Sequence, residues 1–185
     1  MTTRWPRTLR ILEKAEKEGR DFLLEPEVYA VLREAGIAVP RHALLATDGK
    51  VTRKALAALG ADKVVVKIVS PLVIHKSDVG GVAVCKAEPA AVRTACAAML
   101  RTVVSRTRAA DRKAVRDSVR GFLVVEKVGF DDVGFGSEIL FGLRNSPDFG
   151  PVLTVGSGGL DVEYMNARLK EGRAAGIASA HLLDE

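Results

Sequence analysis

VVVKIVSPLVIHKSDVGGV, residues 64–82, contains a strand, a loop and the start of a second strand in nineteen residues. Its opening run, Val64-Val65-Val66-Lys67-Ile68-Val69, is continuously apolar apart from one lysine. β-Branched side chains suit a pleated, packed surface, so the run predicts a buried strand. Lys67 is unexpected there, because burying an unpaired ammonium is expensive. Either its stem follows the apolar surface and its head snorkels to the strand edge, or the ammonium meets an anion. A polar loop over residues 70–81 follows at once. Its Gly80-Gly81 pair can bring backbone N–H groups close to phosphate oxygens. Lysine plus glycine loop has the parts of a triphosphate clamp; a plain connection between strands is the alternative. Val82-Ala83-Val84 reads as the second strand.

His75 lies inside the loop. Neutral imidazole is nucleophilic near pH 7 and can carry a phosphoryl group, whereas a loop histidine without further context is simply exposed. Asp78 either orients the ring or shapes the turn.

Working outward, Glu25-Pro26 opens a helix with proline in its first turn. Val28, Val31, Leu32 and Ala35 follow the i, i+3, i+4, i+7 pattern, and Gly36 closes it. Residues 37–40 run extended. A charged helix over residues 8–19 precedes this one, and a short helix around Ala55, Leu56 and Leu59 follows it. Pro89 opens a long helix carrying Val92, Cys96, Met99, Leu100 and Val103. Gly121 precedes a third strand over residues 122–128. Two more strands, 135–143 and 152–155, flank a turn over residues 144–150, and the alanine-rich stretch 166–185 reads as helix. The pattern is α+β. The expected division is an N-terminal helical segment (1–22), a first lobe with the histidine loop (23–128) and a second lobe beginning near Gly129 (129–185).

The chain has 185 residues, nearly half of them apolar, enough for a packed core. No apolar run reaches the roughly 18 residues of a membrane helix, and the N-terminus lacks a signal-peptide core. A soluble, cytoplasmic protein is the expectation. Cys85 and Cys96 lack metal-ligand spacing and read as small core residues. The net charge of +5 suits nucleic acid or anionic small molecules. The basic run from Arg101 to Arg120 is broken by Asp111 and Asp117 and has no interleaved aromatics. It therefore reads as a solvated helix face, not a single-strand binding surface. Glu126 ends the apolar run Leu123-Val124-Val125, as an acceptor at a hinge or a charge facing water. Glu138 precedes Ile139-Leu140 in a similar setting. Arg144 reads as a residue just past a strand end, for phosphate or for solvent.

Together these segments resemble the ATP-grasp part of the NDP-forming acyl-CoA synthetases (acetate–CoA ligase, ADP-forming). PEVYAVLREAGIAVP (26–40) resembles the family's opening helix and extended entry. VVVKIVSPLVIHKSDVGGV matches its strand, histidine loop and Gly-Gly signature, the most specific part. FLVVEKV (122–128) resembles its hinge strand, and GSEILFGLRNSPDFGPVLTVGSGGLDVE (136–163) its second-lobe motif. The likeness runs from about residue 22 to residue 164 in the family's order.

The resemblance implies an ATP-grasp fold, two α+β lobes sandwiching a nucleotide, incomplete at the C-terminus. It implies that Lys67, with Gly80 and Gly81, meets the phosphates of ATP or ADP. Glu126 and the backbone of Lys127 and Val128 would hold the adenine, with Glu138 and Arg144 on the second-lobe wall. His75 would be a phosphohistidine on a moving loop, serving a distant site on a CoA-binding subunit or domain of the same synthetase. The implied reaction is acyl-CoA + ADP + phosphate ⇌ carboxylate + CoA + ATP, with an oligomer expected. Succinate–CoA ligases share the fold but differ at this loop. The family's Asn-Pro pair and aspartate that hold Mg2+ do not appear before Glu185, so magnesium ligands are not visible in this chain. Asp161 also stands where an aromatic is usual. A non-catalytic or regulatory ATP-grasp module is the second reading. A ligase that makes an acyl phosphate for attack by an amine is the third, and it leaves His75 without a task.

Overall fold

The computed structural model describes residues 5–129, 138–158 and 175–179. The chain divides into two compact units, Met1–Val128 and Gly129–Glu185.

In the first unit, α1 (Pro6–Lys17) and α2 (Glu25–Glu34) lead into β1 (His42–Leu45). Next come α3 (Arg53–Ala57), β2 (Lys63–Val69) and β3 (Val82–Lys86). Then follow α4 (Pro89–Arg106), a 3-10 turn (Ala109–Asp111), α5 (Arg112–Ser118) and β4 (Gly121–Glu126). The three long helices, α1, α2 and α4, each have proline in the first turn, where the missing N–H is no loss. The N-terminus of α1 is capped from a distance: Glu34 accepts from the Arg7 and Thr8 amides and the Thr8 hydroxyl. The N-terminus of α2 is closed by Glu27, which accepts from the Leu24 amide and pairs with both terminal nitrogens of Arg20.

The sheet order is β1-β4-β2-β3, all antiparallel. Its even face (Val64, Val66, Ile68, Phe122, Val124) is buried against Val92, Cys96, Met99 and Val103 of α4. Its odd face is covered only in part: Leu24 and Tyr29 pack on Val69, Leu123 and Val125. Half-buried Val65 and exposed Val84, directly opposite each other, stay open on that face.

Strand β1 lies just beyond the extended stretch 37–40 and was not foreseen in the sequence; β4 supplies its partner. The basic run spans the end of α4, the 3-10 turn and α5, every one of its cations exposed, with Asp111 paired to Arg108 and Asp117 to Lys113. Burial, and then Cys85, pushes the Cys96 thiol up to about 11, as suits an inert core residue.

The second unit is an antiparallel sheet β5-β6-β7: Ile139–Ser146, Gly150–Ser157 and Ala175–Ser179. The turn between β5 and β6 is tighter than the sequence suggested. Pairing continues through Arg144↔Val152 to Ser146↔Gly150, and Gly150 closes the turn at φ +66. Arg144 is therefore inside a strand. The helix expected over 166–185 is overturned at residues 175–179, which pair with β6 as a strand; the rest of that segment, with Asp161, lies outside the described residues.

Candidate functional site

Residues alternate across a strand, so Lys67 shares the odd face with Val65. It sits between Val82 of β3 and Leu123 of β4. The first turn of α2 lies over the same face, and there Glu25 accepts from Lys67 Nζ at 2.6 Å. The other oxygen of Glu25 accepts from Lys76 Nζ at 2.7 Å. One carboxylate thus joins a lysine of the sheet to the lysine next to His75. The three side chains are 20%, 27% and 21% exposed for Glu25, Lys67 and Lys76, which is partial burial. Tyr29 donates its hydroxyl to Glu25 at 3.0 Å, and its ring lies 4.7 Å from that of His42. A hollow of about 250 Å³ opens beside this cluster, lined by Leu24, Glu25, Val28, Val73, Ile74 and Lys76 among others. A larger one, about 860 Å³, is lined by Arg53, Lys63, Lys86 and Arg93 and touches none of the candidate site residues. The smaller hollow is the relevant one, because Glu25 and Lys76 of the cluster line it.

Burial raises the Glu25 carboxyl, but hydrogen bonds and charges from Lys67 and Lys76 outweigh it and hold the group below its ordinary value of 4.5. The same carboxylate, after burial, pushes the Tyr29 phenol above its usual range. The folded chain therefore gives up the Glu25 proton more readily than the unfolded chain. The stability it contributes is present above about pH 4.5 and lost as pH falls through the lower folded value. Urea midpoints measured from pH 6 down to pH 3 are expected to fall less steeply for Glu25→Gln than for wild type. Equal acid slopes would detach Glu25 from the acid response.

The histidine loop is held at both ends. Ser70 is buried, exchanges a hydrogen bond with Ser118 and accepts from the Leu72 amide; Val73 enters the core. At the other end the Gly80 amide donates to Ser77 and the Gly81 amide to Lys76, at 2.6 Å. Both glycine amides are committed inside the loop in this arrangement. A Cβ on Gly81 would meet Ile68 and the Lys76 backbone, so close packing explains that glycine. Between the anchors His75 is exposed, with no hydrogen-bond partner among the described residues. Asp78 is engaged through its carbonyl, which accepts from Arg106, and makes no bond to His75.

Glu126 reaches back to the chain entry. It accepts from the Arg41 amide at 2.6 Å and from Arg41 Nε at 2.7 Å. Hydrogen bonds from the Arg41 side chain and amide, ahead of any burial, lower its carboxyl. The Lys127 amide donates to the Lys63 carbonyl, and Val128 is exposed beyond it. In the second unit Glu138 is exposed just before β5, its carbonyl accepting from the Gly158 amide, and the Arg144 side chain is exposed. The structure thus gathers Lys67 and the histidine loop through Glu25, and places Glu126 to Val128 at the far end of β4. Glu25, Lys76, Tyr29 and Arg41 were missed as site residues in the sequence; Glu25 read there only as a helix start.

A glycine-closed histidine loop beside a strand lysine, an antiparallel four-stranded sheet with an open face, and a second unit with its own antiparallel sheet define a nucleotide-binding class. The chain belongs to the ATP-grasp domain family, whose pattern matches residues 14–175. It is 36% identical over 156 residues to a 4-hydroxybutyrate–CoA ligase (ADP-forming) of Nitrosopumilus maritimus, covering 84% of this chain and 20% of that one. It is 34% identical over 155 residues to the β subunit of acetate–CoA ligase (ADP-forming) I of Pyrococcus furiosus, covering 84% and 60%. The chain therefore spans one fifth and three fifths of these two relatives. Among solved structures, ACD1 of Ca. Korarchaeum cryptofilum in complex with coenzyme A superposes with a TM-score of 0.66 at 30% identity, over 95% of this chain and 67% of that one. The dinucleotide-forming acetyl-coenzyme A synthetase 1 of the same organism, with coenzyme A and Mg-AMPPCP, has its phosphohistidine segment pointing towards the nucleotide binding site. It matches with a TM-score of 0.61 at 29% identity, over 95% and 65%. Among the described residues no helix is long and apolar enough to cross a membrane.

Proposed function

We propose that the chain is the ATP/ADP-binding component of an ADP-forming acyl-CoA synthetase, working in the cytoplasm with a CoA-binding subunit or domain of the same oligomeric enzyme. The observation that carries this reading is the Lys67–Glu25–Lys76 bridge, which ties a cation on the open sheet face to the loop bearing His75. The names of the relatives support the same reaction class. The residues present fit a nucleotide. Each ammonium keeps two further donors for phosphate oxygens. Val65 and Val84 offer an apolar seat on the same face, and Glu126, Lys127 and Val128 supply polar edges at the end of β4.

In the ATP-forming direction a terminal oxygen of ADP attacks the phosphorus on the His75 ring. The P–N bond breaks, the ring nitrogen keeps the electron pair, and ATP leaves; the reverse step phosphorylates His75 from ATP. Lys67 offsets the charge that gathers on the phosphate oxygens. Which acyl group is activated rests with the partner. Among the described residues no three metal-ligating side chains are gathered. The second reading is a nucleotide-binding ATP-grasp module without catalysis of its own.

Calorimetric titration with ATP and with ADP tests the nucleotide site. Replacing Lys67 with alanine removes one charge-assisted contact to phosphate, a loss of about tenfold to a hundredfold in affinity. Equal affinity for wild type and Lys67→Ala would take Lys67 out of the phosphate site.

A further inference from the structure

We infer that Glu25 is a positioning residue that parks the His75 loop beside the phosphate-site lysine. The inference deepens the nucleotide reading above and rests on it for its purpose. Its physical basis is independent of any ligand.

Lys67 belongs to the sheet, where pairing on both sides fixes its backbone. Lys76 belongs to the loop, adjacent to the histidine. Glu25 stands in the first turn of α2, 42 residues from Lys67 and 51 from Lys76. Its two oxygens divide the work, one to each ammonium, and Tyr29 adds a third donor. No other ion pair among the described residues joins the 70–81 loop to the rest of the unit. The remaining ties are the Ser70 and Val73 anchors before His75, the packing of Val79, Gly80 and Gly81 after it, the bond from the Ile68 amide to the Gly81 carbonyl, and the bond from the Arg106 guanidinium to the Asp78 carbonyl. The exposed tip, Ile74 to Asp78, is therefore fastened at its middle by one half-buried carboxylate. Half-buried ion pairs are screened less than those on the surface, so this tie outweighs the exposed pairs elsewhere on the chain.

The consequence for function is positional. A group that must meet a nucleotide at one place and a second site at another needs a resting place set at one of them. The Glu25 bridge sets it at the Lys67 end, and for the loop to leave, the Lys76 contact must break while the Lys67 contact can stay.

Hydrogen exchange followed by mass spectrometry on the ligand-free 185-residue chain tests this. The amides of Leu72, Val73, Lys76, Gly80 and Gly81 are hydrogen-bonded and report loop opening. Glu25→Gln and Lys76→Gln are each expected to speed exchange in a peptide covering 70–81 by about tenfold, leaving peptides from α4 and β4 unchanged. The double variant is expected to go no further than either single one, because both cut the same tie. Lys76→Arg keeps charge and reach, and should retain the wild-type protection. Unchanged loop exchange in both single variants overturns the inference. So does additive acceleration, or acceleration spread equally over α4 and β4, which would make Glu25 a general stabiliser. Because no nucleotide is present, failure here leaves the Lys67 titration to stand or fall by itself. Failure of that titration leaves the tie in place without its proposed purpose.

Discussion

A His75→Ala chain assembled with the proposed CoA-binding partner is expected to take up no phosphoryl label from γ-labelled ATP and to turn over no acyl-CoA, while binding nucleotide nearly as wild type does. The loss should be complete, because no other side chain in the 70–81 loop is an exposed nucleophile that acts without a base. Ser77 is exposed but needs a base to activate it, and Lys76 is paired with Glu25. Among the described residues His75 has no hydrogen-bond partner to lose, so its removal leaves the anchors at Ser70, Val73 and Gly81 in place. The wild-type label should be acid-labile and base-stable, as a phosphoramidate is. Near-wild-type turnover by His75→Ala would reduce the loop to a lid. A wild-type chain that binds nucleotide but never takes up label in the assembled enzyme would favour the non-catalytic module.

The second large effect is on stability. Gly121 opens β4 at φ +147, a conformation that side-chain-bearing residues rarely adopt. A Cβ there would run into the carbonyl oxygen of Leu45, which is backbone and cannot swing aside. Strain and overlap each cost about 1–3 kcal/mol, so Gly121→Ala should lower the unfolding free energy by about 4 kcal/mol. That is a large part of the roughly 5–15 kcal/mol typical of a domain. Urea denaturation of the two chains measures it. A loss below about 1 kcal/mol would mean that β1 yields to the new methyl group more easily than its pairing with β4 suggests.

The sequence made much of the first unit legible, for reasons that the structure makes plain. The β-branched run of β2, the apolar run of β4 and the proline-opened helices α2 and α4 are local patterns, and local patterns can be read without knowing their neighbours. Strand β1 is different. His42-Ala43-Leu44-Leu45 has no β-branched residue and is a strand because β4 lies beside it. Residues 175–179 are richer still in helix-favouring alanine, yet they pair along β6, and pairing overrides propensity. Lys67 marks the same boundary within the site. The sequence posed its two alternatives, edge or anion, and the anion came from Glu25, 42 residues away. No spacing rule connects those positions. The histidine loop was found because its residues are contiguous. The carboxylate that holds it was passed over as a helix start.

The strand order has a consequence for how the chain is made. β4 lies between β1 and β2, yet it is the last strand of its sheet to be synthesised, and Glu126 closes on Arg41 across 85 residues. A nascent chain can pair β2 with β3 as a hairpin soon after both emerge from the ribosome. β1 must wait without any partner, and one edge of the Val64–Val69 strand stays bare, until the segment ending at Glu126 arrives. Closing so long a loop is slow, and a bare apolar edge is open to pairing with other chains in the meantime. The single carboxylate at the end of β4 thus marks the point in translation after which this sheet no longer offers its central edge to its neighbours.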